Sequence, residues 1–218
     1  MTFIAAAAIE AQAAALWRLY KLEISFDVEA LLDSLDLGYY WDPMGEDVLA
    51  EIRPEQRRIR FNQHRLAEFE SNRGLYRFTI AHEIGHWFLH AEPARAGNLK
   101  LFESEAIYCR DSTNDPVETQ AHKFAGALLA PRDLLLSRLP QGPWVGWAPV
   151  YGLAKVFGMS ATAVIVRLQE CGFAHRDSNG LPGSGAPFAR SKRRQPGPVH
   201  PVASRRQPTC RYFCPKTG

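Results

Sequence analysis

The spacing of apolar positions divides the chain into helical and extended segments. Small and apolar residues dominate positions 5–22, which predicts an amphipathic N-terminal helix, and a shorter helix is predicted at 26–35. Three segments with the residue types and alternation of strands follow at 38–41, 47–52 and 58–62. A turn at 42–45 would join the first two strands as neighbours. These segments together predict a small antiparallel sheet.

Two longer helices are predicted after the sheet. The first contains many apolar residues between positions 78 and 89. In the second, apolar residues recur at helical spacing in 117–129, with Pro116 suited to its first turn and Pro131 at its end. The intervening residues 92–115 have few periodic apolar positions and are predicted to form a loop over or beside the helices. A small sheet followed by two packed helices favours an α+β fold of the zincin-like type.

The C-terminal part of the sequence has a different organisation. Residues 150–157, a turn at 158–160 and residues 161–171 predict a helix-turn-helix-like pair in which Ser160 caps the second helix. We therefore predict a zincin-like domain at 1–139, a helical segment packed on it at 140–175, and a tail at 176–218. The tail contains seven prolines and five glycines, a composition typical of disordered segments.

Charge is distributed unevenly between these parts. The tail carries nine Lys or Arg residues and one acid, a net charge of +8, whereas the whole chain carries +3, so residues 1–175 carry −5. Neutralisation of phosphates by basic residues supplies much of the affinity of proteins for DNA. The acidic body and the scarcity of basic residues in the helical pair therefore argue against direct DNA binding.

The candidate chemistry lies in the first of the two longer helices, which contains the pattern His-Glu-x-x-His. His82 and His86 are four residues apart and therefore lie one turn apart on the same helix face, where both imidazoles can reach one ion. Glu83 lies beside them and can take a proton from a water held by that ion. This spacing predicts half of a zinc site together with a general base.

A hydrolytic zinc site usually has a third protein ligand and leaves the fourth position to water. Glu118, on the first or second turn of the second helix, is the best candidate and would give the His₂Glu ligand set. His122 lies one turn further on the same face and either orients a ligand by a hydrogen bond or competes as a fourth ligand. Other candidates for the third metal ligand in this part of the chain are Glu103, Glu105, Cys109, Asp111 and Asp115.

Two further residues near the predicted site have alternative interpretations. His90 lies too far along the helix axis from His82 to share its ion, so we expect it to cap the helix end. Tyr108, in the predicted loop, is a candidate donor to the oxyanion of a transition state, or else an ordinary surface tyrosine.

Three stretches of the sequence resemble the ImmA/IrrE-type metallopeptidases, and together they cover roughly residues 10 to 175. The first runs from Arg77 to His90, the second is the Glu118-x-x-Ala121-His122 segment, and the third spans 153–173. The resemblance implies that His82, His86 and Glu118 bind zinc and that Glu83 is the catalytic acid/base. One departure is His122, where the family usually has Asn, which affects the geometry or affinity of the metal.

The resemblance also implies a biological setting. Members of this family act in the bacterial cytoplasm, and known ones cleave helix-turn-helix transcriptional repressors, so we expect a zinc-dependent endopeptidase with such a protein substrate in a stress or mobile-element response. Sites of this type also accept Mn²⁺ or Fe²⁺. In such an enzyme the 58–62 strand is a candidate edge strand for binding an extended substrate.

Two rival interpretations belong to a different class. One is a regulatory helix-turn-helix protein whose metal site is structural or vestigial, and the other is a toxin-antitoxin component that binds its partner without cleaving it.

The composition also bears on compartment. No run of eighteen apolar residues exists, so no membrane association is expected. The four cysteines have no regular framework spacing, which favours a reducing compartment such as the cytoplasm.

Overall fold

The computed structural model describes residues 4–91 and 115–185, together with the backbone of 107–110. The helices are α1 (Ala6–Leu19), α2 (Val28–Ser34), α3 (Leu66–Ser71), α4 (Arg73–His86), α5 (Pro116–Leu129), α6 (Arg132–Arg138), α7 (Ala148–Phe157) and α8 (Ala161–Glu170). The strands are β1 (Gly38–Asp42), β2 (Val48–Arg53), β3 (Arg58–Asn62), β4 (Ile107–Arg110), β5 (Ala174–Arg176) and β6 (Pro182–Ser184). The fold is of the mixed α+β class, as predicted.

The main sheet is mixed rather than antiparallel, and its strand order is β1-β3-β2-β4. β2 pairs antiparallel with β3 and β4, but β1 runs parallel to β3, with Trp41 opposite Phe61. The prediction of a purely antiparallel sheet, with the first two strands as neighbours, is therefore wrong. The prediction that the 58–62 strand forms an edge is also wrong, because β3 is hydrogen-bonded on both sides. The edge strands are β1 and β4.

Helices α4 and α5 pack against each other, and both begin with side-chain caps. Asn72 accepts a hydrogen bond from the amide of Leu75, and Asp115 accepts one from the amide of Val117. Gly85 allows the two helices to approach closely, because a Cβ there would lie 3.1 Å from the carbonyl oxygen of Ala121. The helices predicted from apolar spacing are thus present, and their contact is closest near the end of α4.

The segment predicted as a loop at 92–115 contains a strand. Residues 107–110 form β4, in which Tyr108 lies opposite Glu51 of β2. Residues 92–106 and 111–114 lie outside the described residues. The prediction of a structureless loop therefore fails for 107–110, where pairing with β2 extends the sheet by one strand.

The C-terminal helices share one hydrophobic core with the rest of the molecule. Buried Val150, Phe157 and Ile165 belong to the same cluster as Ile80 and Phe124. A left-handed Gly158 (φ 62°) ends α7, the hydroxyl of Ser160 caps α8, and the two helices meet at 101°. Within the described residues no single helix is long and apolar enough to cross a membrane, and α7 and α8 meet those criteria only as this bent pair.

Ordered structure continues beyond the boundary predicted at residue 175. β5 and β6 form an antiparallel hairpin in which His175 lies opposite Gly183. The amide of Ser184 donates to the carbonyl of Trp144, which attaches the hairpin to the segment before α7. The prediction of disorder from 176 is therefore wrong as far as 185, and the remainder of the predicted tail, 186–218, lies outside the described residues.

Candidate metal centre

The His-Glu-x-x-His pattern occupies the last turns of α4. His82, Glu83 and His86 are all buried, and α4 continues directly into a π-helical turn at Trp87–Ala91. Three ionisable side chains buried together on one helix require partners or an ion, because burial of unpaired polar groups is costly. The surrounding helix face packs on apolar residues, so the polar cluster is enclosed by the core.

Glu118 completes a compact cluster with the two histidines. Its Oε2 atom lies 3.1 Å from His82 Nε2, its Oε1 atom lies 3.3 Å from His86 Nε2, and the two Nε2 atoms are 2.9 Å apart. Ligands bound about 2.0–2.1 Å from a tetrahedral ion lie about 3.3 Å from each other. The three side chains therefore already have nearly the separation that a single zinc ion would impose.

The protonation states of this cluster suit a cation. Burial would raise the pKa of Glu118, but the hydrogen bonds with His82 and His86 outweigh burial and lower it to about 2. Burial lowers the pKa of His82 to about 3, although the contact with Glu118 acts in the opposite direction. A carboxylate and a neutral imidazole are the forms in which these side chains bind metals.

Several atoms in the cluster have no hydrogen-bond partner among the described residues. The buried Nδ1 atoms of His82 and His86 and both carboxylate oxygens of Glu83 are in this group. Burial raises the pKa of Glu83 well above its usual value, the charge of Glu118 adds to this, and the nearby backbone of Ile52 opposes it. Glu83 is therefore a buried carboxyl beside the predicted ligands.

His122 lies one turn from Glu118 and faces the same cluster. Its Nδ1 atom donates to the carbonyl oxygen of Glu118 at 2.9 Å, which leaves a lone pair on Nε2 when the ring is neutral. Its ring centroid is 4.4 Å from that of His82, and ligand atoms of His82, Glu118 and His122 lie within 4.8 Å of one another. This placement is compatible with the predicted role of an additional ligand, while the predicted role of orienting a ligand stays a prediction, because the hydrogen bond ends on the backbone of Glu118 and not on its carboxylate.

His90 lies in the π-helical turn that continues α4, close to His86, and its predicted role as a helix-end cap stays a prediction. In a π-helical turn the residue four positions on returns closer to the same face than in an α-helix, and the ring of His90 lies 5.7 Å from that of His86. Burial and His86 lower the pKa of His90 to about 4, against a hydrogen bond to the backbone of Val117 on α5. The ring of His90 is thus close to that of His86, and the i+4 spacing of the two residues was the available signal.

The remaining candidates lie at the margin of the described structure. Tyr108 is in β4, whose side chains are not described, so its assignment as an oxyanion donor stays a prediction. The same holds for Cys109, while Glu103, Glu105 and Asp111 lie outside the described residues. Asp115 is not oriented as a ligand, because its Oδ1 atom caps α5.

The sequence matches one family of known proteins. The family model described as the IrrE N-terminal-like domain, a peptidase family, matches residues 48–169, from β2 to the end of α8. No curated protein matches the chain. Among solved structures, a transcriptional regulator from Mycobacterium tuberculosis is similar, with 16% identity and a TM-score of 0.49 over 74% of this chain and 46% of the regulator. The chain thus spans less than half of the regulator's length.

The matched segment contains both helices that carry the cluster and more than half of the chain, so this protein belongs to the family of peptidases with an IrrE N-terminal-like domain.

Proposed function

We propose that this protein is a metal-dependent endopeptidase in which His82, His86 and Glu118 hold one divalent ion and Glu83 is the catalytic acid/base. The observation that carries the proposal is the convergence of these three ligand side chains, with ligand atoms 2.9–3.3 Å apart, beside the buried carboxyl of Glu83. Family membership supports it, since the matched segment contains all four residues.

The donor set favours zinc. Two imidazoles and one carboxylate form the His₂Glu set of hydrolytic zinc enzymes, and the same donors accept Mn²⁺ or Fe²⁺. When bound, such an ion polarises the carbonyl of the scissile peptide bond and lowers the pKa of a water molecule. Each of these effects requires an open coordination position, which three protein ligands leave.

The reaction steps of the protein itself are assigned to Glu83. With an ion held by the neighbouring ligands, the carboxylate form of Glu83 would be favoured despite its raised pKa. One of its oxygens would then accept a proton from the water molecule whose oxygen attacks the scissile carbonyl carbon. Glu83 then donates that proton to the nitrogen of the leaving amine. Its burial excludes water that would otherwise compete for the proton.

The substrate under this proposal is a protein, and the family resemblance favours a helix-turn-helix transcriptional repressor in the bacterial cytoplasm. An extended segment of such a substrate requires a free sheet edge, and β4 replaces the 58–62 strand as the candidate edge. In the sheet, β4 lies next to β2, and the backbone of Ile52 in β2 is close to Glu83.

Direct DNA binding is not part of this proposal. The only basic residue of α8 is Arg167, which is 2% exposed and is held by both carboxylate oxygens of Glu10 and by the carbonyl of Ala130. A recognition helix would need basic or polar side chains free to contact bases and phosphates. The helical pair therefore supports packing and substrate contact better than a regulatory role at DNA.

A Glu83→Gln variant separates the peptidase from the regulatory and toxin-antitoxin alternatives. The rate at which the protein cleaves a candidate repressor, with Zn²⁺ or Mn²⁺ added and the products detected by mass spectrometry, should fall at least 100-fold in this variant. General acid/base catalysis contributes about 10²–10⁴-fold to such rates. Metal binding and partner binding should remain. Equal biological activity of wild type and Glu83→Gln would instead support a binding protein with a structural or vestigial site.

A further inference from the structure

A cavity of about 290 Å³ lies between α4, α5 and α8 and reaches the candidate metal centre. On α4 its wall consists of Leu75, Phe78, Thr79 and His82, which are spaced at i, i+3, i+4 and i+7 and therefore form one stripe of the helix. That stripe ends on a predicted metal ligand. On α5 the wall contains His122, whose ligand atoms belong to the same cluster. The inner end of the cavity is thus next to the position of the ion.

Helix α8 closes the opposite side of the cavity. Ala163 and Val166 line it, and Val166 is 46% exposed, which places the rim at the surface. On α5, Gly126 allows close packing against α8, since a Cβ there would lie 3.2 Å from the Arg167 side chain. The cavity therefore extends from the surface at Val166 to the histidines.

The cavity lining offers little to a charged ligand. Leu49, Leu75, Phe78 and Val166 supply apolar surface. The guanidinium of Arg167 is directed to Glu10 and to the Ala130 carbonyl, so its donors are engaged outside the cavity. Glu170, also in the lining, lies 3.9 Å from the same guanidinium. An apolar cavity of about 150 Å³ is large enough to bind benzene, so this volume accommodates the side chain of Leu, Met or Phe.

We infer that this cavity is a specificity subsite that takes one large apolar side chain from a residue adjacent to the scissile bond. The inference rests on the proposed endopeptidase function, because only a substrate held at the ion would place a neighbouring side chain at the His82 end. It assigns to α8 a part of the substrate-binding surface. Ala163 and Val166 then act as specificity-determining residues, although neither is within the metal-binding cluster.

Binding of single side chains can be measured without catalysis. The probes are the N-acetyl amides of Leu, Phe, Ala, Asp and Lys, titrated into the full-length, metal-free protein and followed through the methyl NMR signals of Ala163 and Val166. The affinities of the Leu and Phe amides should be at least about ten-fold higher than those of the other three amides. Equal binding of all five amides, or preference for the Lys amide, would overturn the inference.

Variants localise the effect to the cavity. Ala163→Phe should fill it and Val166→Asp should place a charge at its exposed rim, and each should abolish the preference for Leu and Phe. Gln169→Phe, an exposed position on the same helix outside the cavity, should retain the preference. If Ala163→Phe does not fold, Val166→Asp still tests the inference, because position 166 is exposed and tolerates a charged side chain. Unchanged selectivity in the folded cavity variants would contradict the inference.

Peptide cleavage separates this inference from the proposed function. A mixture of peptides incubated with the zinc-loaded wild type and analysed by mass spectrometry should show a large apolar residue beside the cut bond. Ala163→Phe should shift that position to Gly or Ala. Cleavage without apolar preference overturns the subsite and leaves the endopeptidase standing. Selective amide binding without cleavage of any peptide overturns the endopeptidase and the link to a scissile bond.

Discussion

Gly85 on α4 and Ala121 on α5 are in such close contact that a Cβ on Gly85 would lie 3.1 Å from the Ala121 carbonyl oxygen and 3.2 Å from its Cα. This contact lies between the two helices that carry the predicted ligands, one residue before His86. The separation of His82 and His86 from Glu118 therefore depends on a glycine at this position. A close approach of backbones explains the glycine better than turn formation, since Gly85 is inside a helix.

Replacement of Gly85 by alanine should destabilise the fold and weaken metal binding together. The added methyl must displace the backbone of α5 by a few tenths of an ångström, for which overpacking costs about 1–3 kcal/mol. Chemical unfolding and zinc titration would measure the two effects. Gly152→Ala is the matched control, because Gly152 lies in α7 with no atom near its Cβ position. There alanine should stabilise by up to about 1 kcal/mol through helix propensity.

The buried carboxyl of Glu83 should make the metal-free protein less stable at higher pH. Its pKa in the folded state is raised, chiefly by burial, so as pH rises above its ordinary value the unfolded chain releases a proton that the folded chain retains. The contribution of Glu83 to stability is therefore present at low pH and lost as pH rises. Glu83→Gln removes this titration.

The free energy of unfolding, measured in urea with chelator at pH 5 and pH 8, should show Glu83→Gln more stable than wild type at pH 8, with a smaller difference at pH 5. A constant difference between the two proteins at both pH values would contradict this account of Glu83.

Acid should destabilise the metal-free protein through His82. Its folded-state pKa of about 3 lies below the ordinary value of 6.5, so the unfolded chain takes up a proton first as pH falls. Stability from the neutral, buried imidazole is lost progressively between these two values. The unfolding free energy of wild type should therefore fall more steeply over this window than that of His82→Phe, in which the titrating ring is absent.

His122 should influence metal affinity, because its ring lies 4.4 Å from that of the predicted ligand His82 and is anchored by a hydrogen bond to the backbone carbonyl of Glu118. His122→Ala should weaken zinc binding by about 10–100-fold, as loss of an outer partner commonly does. His122→Asn, which restores the residue usual in the family, should recover most of the affinity because an amide can also donate. Equal loss in both variants would indicate that Nε2 of His122 is itself a ligand.

The sequence predicted the two helices that carry the candidate ligands because their signal is local. The i+4 spacing of His82 and His86 and the apolar recurrence through Phe124 both report a single helix face. Pairing between strands carries no such signal: alternation at β3 shows which side chains are buried but not which strand lies beside it, and β3 lies between β1 and β2. The β5–β6 hairpin likewise depends on a distant partner, Trp144.

The central claim is that His82, His86 and Glu118 together hold one divalent ion, and the metal content of the purified protein tests it most directly. Elemental mass spectrometry should find about one zinc or other divalent ion per chain in wild type and in His64→Ala, an exposed histidine outside the cluster. His86→Ala and Glu118→Ala should each lose it. A wild-type protein that stays metal-free after incubation with excess Zn²⁺ or Mn²⁺, or a Glu118→Ala variant that keeps its ion, would contradict the claim.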